Sequence, residues 1–454
     1  MVLLSGLGPV LHAGELAYQL LGISLLAGHA VGYRLHRNLA AWLAPLCALT
    51  PALVIGLRNL AGVDSEVNPP MTLVCAFFLA VGACAPLAGL TLCLWQRLQG
   101  QREQLARLYA CEMLGSALAL ALAILTGPLG LLRVFPMLAA LAFLLYGRRV
   151  GLVSVLPALF QLVFLPGWLT YQAVCSHRAL VQPRILELSL SAYQLVEVVE
   201  SQGERYLFLN GLCHHDPRHL QALNYYLVSL PAQLLSTRLQ TKRALVLGGG
   251  ALLSAAELRR LGWQTTVVEL DPEVLRLSAK HFAPSFGLNP DDPGLRLVCD
   301  DARSYTRADR HYDLIVFSLP YPYSLNVASL FTQEYFQSLR ERLDPGGAVT
   351  VFLGTTAGRR RLEPVAAAIL QSLRKVFPSI LVISSQEMAN TVVLCQTTDR
   401  WDRSALTRLA LGDGYRRFHL ISDASAQQLC QGARAASLWD LSMCLRLNFD
   451  LWRN

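Results

Sequence analysis

Charge is nearly absent from residues 1–176, and that decides much of what this chain can become. This half holds five acidic residues (Glu15, Asp64, Glu66, Glu103, Glu112), nine arginines and no lysine. Over all 454 residues, 53% are hydrophobic and 15% charged, where soluble domains carry about 25% charged residues. Six apolar runs fill the half, at about 14–33, 39–57, 70–95, 109–127, 130–147 and 150–172. A helix needs about 20 apolar residues to cross a bilayer. The expectation is an all-α multi-span membrane domain over 1–176, partnered by the lipid bilayer.

The loops between the runs alternate in charge. Arg34, Arg37, Arg97, Arg102, Arg107, Arg148 and Arg149 fall in one set, and Arg58 and Arg133 in the other. The bias puts the amino terminus outside, and six spans then put residues 177–454 outside too. An intracellular cofactor conflicts with that, so either one run does not span or the soluble body is extracytoplasmic. The first run lacks the basic start of a signal peptide. Glu112 lies near the start of the fourth run. A carboxylate at membrane depth costs about 3 kcal/mol and marks function, unless it sits at the interface. Glu15 reads as interfacial, and Pro86 and Pro136 as kinks.

The net charge of +8 comes without any nucleic-acid-binding motif, so it serves membrane orientation. The 11 cysteines are scattered singly, with no CxxC pair and no Cys/His cluster of zinc spacing. They read as small buried hydrophobes, with no metal site.

Residues 177–236 read as a small β subdomain, with ILELSLSAYQLVEVVES and RYLFLNG as strands and HLQALNYYLVSLPAQLL as a helix. Residues 237–400 read as a Rossmann-like domain. RALVLGGG, QTTVVEL, LRLVCDDA, YDLIVFS and AVTVFLG are buried strands, the last after a turn DPGG; ALLSAAELRRLG and PEVLRLSAKHF are helices between them. Such alternation implies a parallel sheet with helices on both faces. Residues 401–454 add amphipathic helical segments.

Three strand ends carry the chemistry. Gly248, Gly249 and Gly250 let backbone approach a ligand. Glu269 ends the next strand about 20 residues later, where an acid takes ribose hydroxyls. Asp300 and Asp301, followed by Ala302, end the third, where an acid accepts from a purine amino group. Together they favour an adenosine-containing ligand over a purely structural role. A NAD site fits less well, because Leu253 breaks the GxGxxG pattern. The fourth strand runs into VFSLPYPYS, which has no charge at a strand end where catalytic groups gather.

At these residues the chain resembles the membrane-anchored spermidine synthase-like (polyamine aminopropyltransferase) family of bacteria. The order VLGGG, VVELDPEVLRLSAKHF, CDDARSY, YDLIVFS, LF, YF and LDPGG carries the likeness over about 240–355, with SAYQLVEV and LFLNG before it. FLAVGACAPLAG and ARLYACEMLGSALALALAILTGPLG extend it into the membrane half. The Rossmann motifs are shared with class I methyltransferases. The resemblance implies decarboxylated S-adenosylmethionine or S-adenosylmethionine as ligand, with no metal, and an integral protein of the bacterial inner membrane. It implies Gly248 and Gly249 at the nucleoside, Glu269 on the ribose, Asp301 on the adenine amino group, and Tyr193 and Gln194 beside the cofactor. It also shows departures. Ala251 stands where the family's glycine run reaches an aspartate, Asn210 replaces the Asp of LDG, and His214 replaces a glutamine. Asn224-Tyr225 stands where the family has tyrosine–histidine. The two catalytic aspartates fall at Ser318 and Tyr321, so the candidate catalytic positions carry no acid.

General-base help is worth about 10²–10⁴-fold, and a serine hydroxyl without a partner is a poor base. Aminopropylation of a diamine is therefore not expected. Two readings lead: a membrane-bound transferase acting on an uncharged or apolar acceptor, or a catalytically inactive domain serving as a binding or assembly subunit. A transporter with a regulatory domain rests on Glu112 and the prolines alone. Homo-oligomers or membrane partner proteins are compatible with all three.

Overall fold

The computed structural model describes residues 177, 180–209, 212–236, 241–320, 322, 325–355, 362, 364–385, 390–398, 401 and 418–438, with isolated helical positions between 23 and 163. The six apolar runs are described only at those positions, and Glu112 lies outside the described residues. Among the described residues no helix is long and apolar enough to cross a membrane. The chain divides into two compact units. One runs to Gln202 and includes Phe208–Leu212; the other comprises Gly203–Leu207 and Cys213–Leu451.

In the first unit, β1 (Arg184–Leu190) and β2 (Leu195–Ser201) pair antiparallel, from Arg184 against Glu200 to Leu190 against Leu195. Ser191 makes the turn: its Oγ accepts from the Tyr193 and Gln194 amides, both at 3.0 Å. Glu197 of β2 is buried and meets buried His177 at 2.8 Å, with the imidazole 4.1 Å from the Phe208 ring. A carboxylate is tolerated at such depth only with a partner of this kind. With β3 (Glu204–Leu209) and β4 (Leu212–His215), the small sheet has the order β1-β2-β3-β4.

The helical run expected after the small sheet is present, but in three pieces. Helix α1 (Pro217–Asn224) passes through a π-turn, Tyr225–Ser229, into α2 (Leu230–Ser236). The sheet that follows uses β5 (Arg243–Gly248), β6 (Gln264–Glu269), β7 (Leu295–Cys299), β8 (Tyr312–Ser318) and β9 (Leu343–Thr355). Between them come α3 (Leu253–Arg260), α4 (Pro272–His281), α5 (Ala302–Tyr305), α6 (Leu325–Ala328) and α7 (Gln333–Glu341). Then come α8 (Pro364–Val376), β10 (Ser379–Ser385), β11 (Asn390–Gln396), β12 (Phe418–Ile421) and α9 (Asp423–Leu429).

The expected parallel sheet is corrected to a mixed one. Its order is β12-β10-β11-β9-β8-β5-β6-β7. Strands β5 to β9 are parallel neighbours, whereas β11 pairs antiparallel with β9 and β10, and β12 with β10. The expected turn DPGG lies inside β9, at a shift of register against β8: Tyr312 pairs with Leu343 and Leu314 with Ala348. The central strands read as unbroken apolar runs because both faces are buried. Leu245, Leu247, Ile315, Phe317, Val349 and Val351 go to one core. Ala244, Val246, Leu314, Val316 and Ala348 go to the other.

Candidate functional site

The direction of winding reverses between β5 and β8, since β6 and β7 lie beyond one and β9 beyond the other. In an open α/β sheet ligands bind at the carboxyl ends of the strands, at that reversal. There Gly248 lies opposite Ser318, and the Gly249 amide donates to Ser318 O at 3.2 Å. Gly248 and Gly249 have φ of 78° and 83°, in the region that favours glycine. A Cβ on Gly248 would lie 2.5 Å from Ser318 O. Glycine is therefore what lets the loop close on Ser318. The loop ends in a turn, Leu252 amide to Gly249 O at 2.8 Å, with buried Leu252 itself left-handed before α3.

Gly250 serves a different contact. A Cβ there would lie 2.6 Å from Val274 Cγ1 and 3.7 Å from Glu269 Oε2. The carboxylate at the end of β6 is therefore within reach of the glycine loop. Its Oε1 accepts from the Asp271 amide at 3.2 Å. Burial pushes the Glu269 carboxyl up to about 7, helped by the neighbouring Asp271 charge and opposed by backbone donors. Asp271 is itself committed to capping α4 through the Glu273 amide at 3.0 Å.

The acids after β7 have separate roles. The Asp300 amide donates to Glu269 O at 3.1 Å, which fixes the two strand ends side by side. Asp300 Oδ1 accepts from the Asp301 amide at 2.8 Å. Asp301 caps α5 through the Arg303 amide at 2.8 Å and holds the Arg303 guanidinium, with Nη2 to Oδ2 at 2.7 Å. Arg303 keeps the Asp301 carboxyl below its ordinary range, against the opposing effect of burial. Ala302 opens α5 with its methyl in the core, so its backbone is what it offers a ligand.

Gly248, Gly249, Gly250, Glu269, Asp300, Asp301, Ala302 and Ser318 thus lie on adjacent strand ends of one sheet. Tyr193 and Gln194 lie on the β1–β2 turn, with Tyr193 exposed. Tyr321, Tyr323, Asn210 and Gly211 lie outside the described residues. Burial lowers His214 to about 4, so it is neutral near pH 7. Asn224 Oδ1 accepts from Ser254 Oγ at 3.0 Å, which ties α1 to the start of α3. Sequence reasoning passed over Arg303, although an arginine two places after a helix-capping aspartate was a readable signal. Among the described residues no three His, Cys, Asp or Glu side chains group closely enough for a metal.

These features define an α/β domain with a candidate nucleoside site. Comparison with known proteins shows what the chain is similar to. Residues 224–386 match the spermine/spermidine synthase domain. The chain is 35% identical over 166 residues to a polyamine aminopropyltransferase of Corynebacterium efficiens, covering 36% of this chain and 31% of that one. It is 33% identical over 155 residues to one of Nitrosomonas europaea, covering 33% of this chain and 45% of that one. Across the first relatives, the matched part spans between 22% and 38% of their length. A probable spermidine synthase of Corynebacterium glutamicum aligns with TM-score 0.44 at 23% identity, over 56% of this chain and 96% of that one.

Proposed function

We propose that this chain is a membrane-bound spermidine synthase-like protein that binds an adenosyl sulfonium, S-adenosylmethionine or its decarboxylated form. It transfers a group from that ligand to an acceptor other than a diamine. The observation that carries this is the Glu269 carboxylate against the glycine loop, with Ser318 and no acid at the next strand end. A nucleoside could set its ribose hydroxyls on Glu269 and its base toward Asp301. The adenosyl sulfonium would bring a carbon activated for attack. The acceptor's lone pair forms the new bond, the carbon–sulfur bond breaks, and its electron pair stays on sulfur as a neutral thioether.

An amine acceptor must also lose a proton. Among the described residues the Ser318 hydroxyl makes no hydrogen bond, so nothing there raises its basicity. The same fact supports a second reading, a domain that binds the nucleoside without turnover. Calorimetric titration of the full chain with S-adenosylmethionine, its decarboxylated form and methylthioadenosine separates these readings from a site that binds no nucleoside. Binding of at least one is expected, and Glu269→Ala should weaken it by roughly 100-fold. No binding to any of the three removes both readings. Binding without thioether release, across amine, thiol and hydroxyl acceptors, leaves the second.

The membrane assignment rests on the apolar runs and their arginine asymmetry. Reporter fusions at residue 454 test which side the soluble body faces. A cytoplasmic result means that one of the six runs does not span.

A further inference from the structure

The guanidinium of Arg303 holds Asp301 at the candidate site and also reaches Ser329, outside it. Nε lies 3.1 Å from Asp301 Oδ1 and Nη2 lies 2.7 Å from Asp301 Oδ2. The remaining arm, Nη1, donates to Ser329 Oγ at 3.1 Å. Ser329 is not a loose end. Its hydroxyl donates to Asn326 O at 2.6 Å, and its carbonyl accepts from Thr332 Oγ1 at 3.0 Å. Thr332 caps α7 through the Tyr335 amide at 3.3 Å. The chain from Asp301 therefore passes through Arg303 into the Ser329–Phe331 turn that follows α6.

Asp301 stands at the base end of the candidate nucleoside site, and Ser329 in the connection between β8, which ends in Ser318, and α7. Arginine suits such a bridge because its planar fork fixes a carboxylate from two nitrogens and leaves a third donor free. Asp301 Oδ1 is filled by the Arg303 amide and Nε. Oδ2 takes Nη2 at 2.7 Å and a long contact from Nε at 3.3 Å. A carboxylate oxygen accepts about two hydrogen bonds, so Oδ2 has one good acceptor direction left for a single purine N–H. A ligand there completes the acceptor set of Asp301 without displacing the arginine.

We propose that Arg303 is a positioning residue that ties the base end of the nucleoside site to the Ser329 turn, so that a bound base stiffens that turn. The inference rests on the nucleoside reading above. The test is hydrogen exchange over residues 325–331 of the full chain, with and without methylthioadenosine. In the wild type, ligand should slow exchange there by about tenfold. Ser329→Ala should keep the nucleoside affinity within about twofold and abolish that slowing. Arg303→Met should lose the slowing and weaken binding by roughly tenfold, and Arg303→Lys should not restore the slowing, because an ammonium lacks the fork.

Persistence of the slowing in Ser329→Ala, with binding intact, overturns the tether while leaving the nucleoside reading untouched. If methylthioadenosine and both sulfonium ligands fail to bind the wild type, the nucleoside reading and the proposed stiffening fall together. The tether as a structural link is then judged on the free protein. There, Ser329→Ala and Arg303→Met must each speed exchange over 325–331 while leaving β6 unchanged. Unaltered rates overturn the link as well.

Discussion

At the scale of single residues, Glu269 ties burial to the proposed binding. A glutamate ordinarily titrates near 4.5, and burial raises this one to about 7. Between those values the folded protein holds the proton more tightly than the unfolded chain does. Stability therefore falls as pH rises through that window. Glu269→Gln carries no such titration. The melting temperature of the variant should gain on that of the wild type from about pH 4.5 to 7, then run parallel to it. Parallel curves throughout would exclude the burial effect. If a nucleoside sets its ribose hydroxyls on Glu269 as proposed, they donate to the ionised carboxylate, and binding should respond in the opposite sense. Affinity for methylthioadenosine should rise with pH up to about 7 and then level off.

At the scale of elements, the glycine turn and the helix caps decide local geometry. Gly248→Ala puts a methyl on Ser318 O in a backbone conformation that alanine resists. A loss of about 2–3 kcal/mol is expected, read from urea unfolding. A loss under about 0.5 kcal/mol would mean that the β5–β8 junction relaxes easily. Thr332→Ala removes the cap of α7 and the bond to Ser329 O, and should cost about 1–2 kcal/mol in the same assay. The parallel strands were legible because each is an apolar run ending in a turn residue or an acid. The antiparallel part was not read, although SILVISS and NTVVLCQ are equally apolar. Composition does not fix strand direction; connection length does. Only residues 386–389 join β10 to β11, too few for a parallel crossover. The register shift in β9 was hidden for a related reason: DPGG has turn chemistry, and only the pairing of Leu343 and Ala348 with β8 on either side of it places it within a strand.

At the scale of the whole molecule, the candidate site lies where the sheet reverses between β5 and β8. That brings Gly248 of one strand end against Ser318 of another. The acids were legible one strand at a time, since each closes its own apolar run. The Arg303–Ser329 bond was not, because it joins residues 26 apart that share no local pattern. The reversal also defines what a single substitution can restore. If the nucleoside lies along Glu269 and the glycine loop, its reacting carbon comes near Ser318. Ser318→Asp then supplies a proton acceptor and nothing else, because Tyr321 still brings no charge to hold a diamine. The transfer rate from decarboxylated S-adenosylmethionine to putrescine at saturating amine should rise by about 10²-fold or more. The KM for the amine should stay high, since the counter-charges for a dication remain missing. A fall in KM without a change in kcat would mean that position 318 binds the amine rather than taking its proton. No change in either would mean that the reacting carbon does not lie at this strand end.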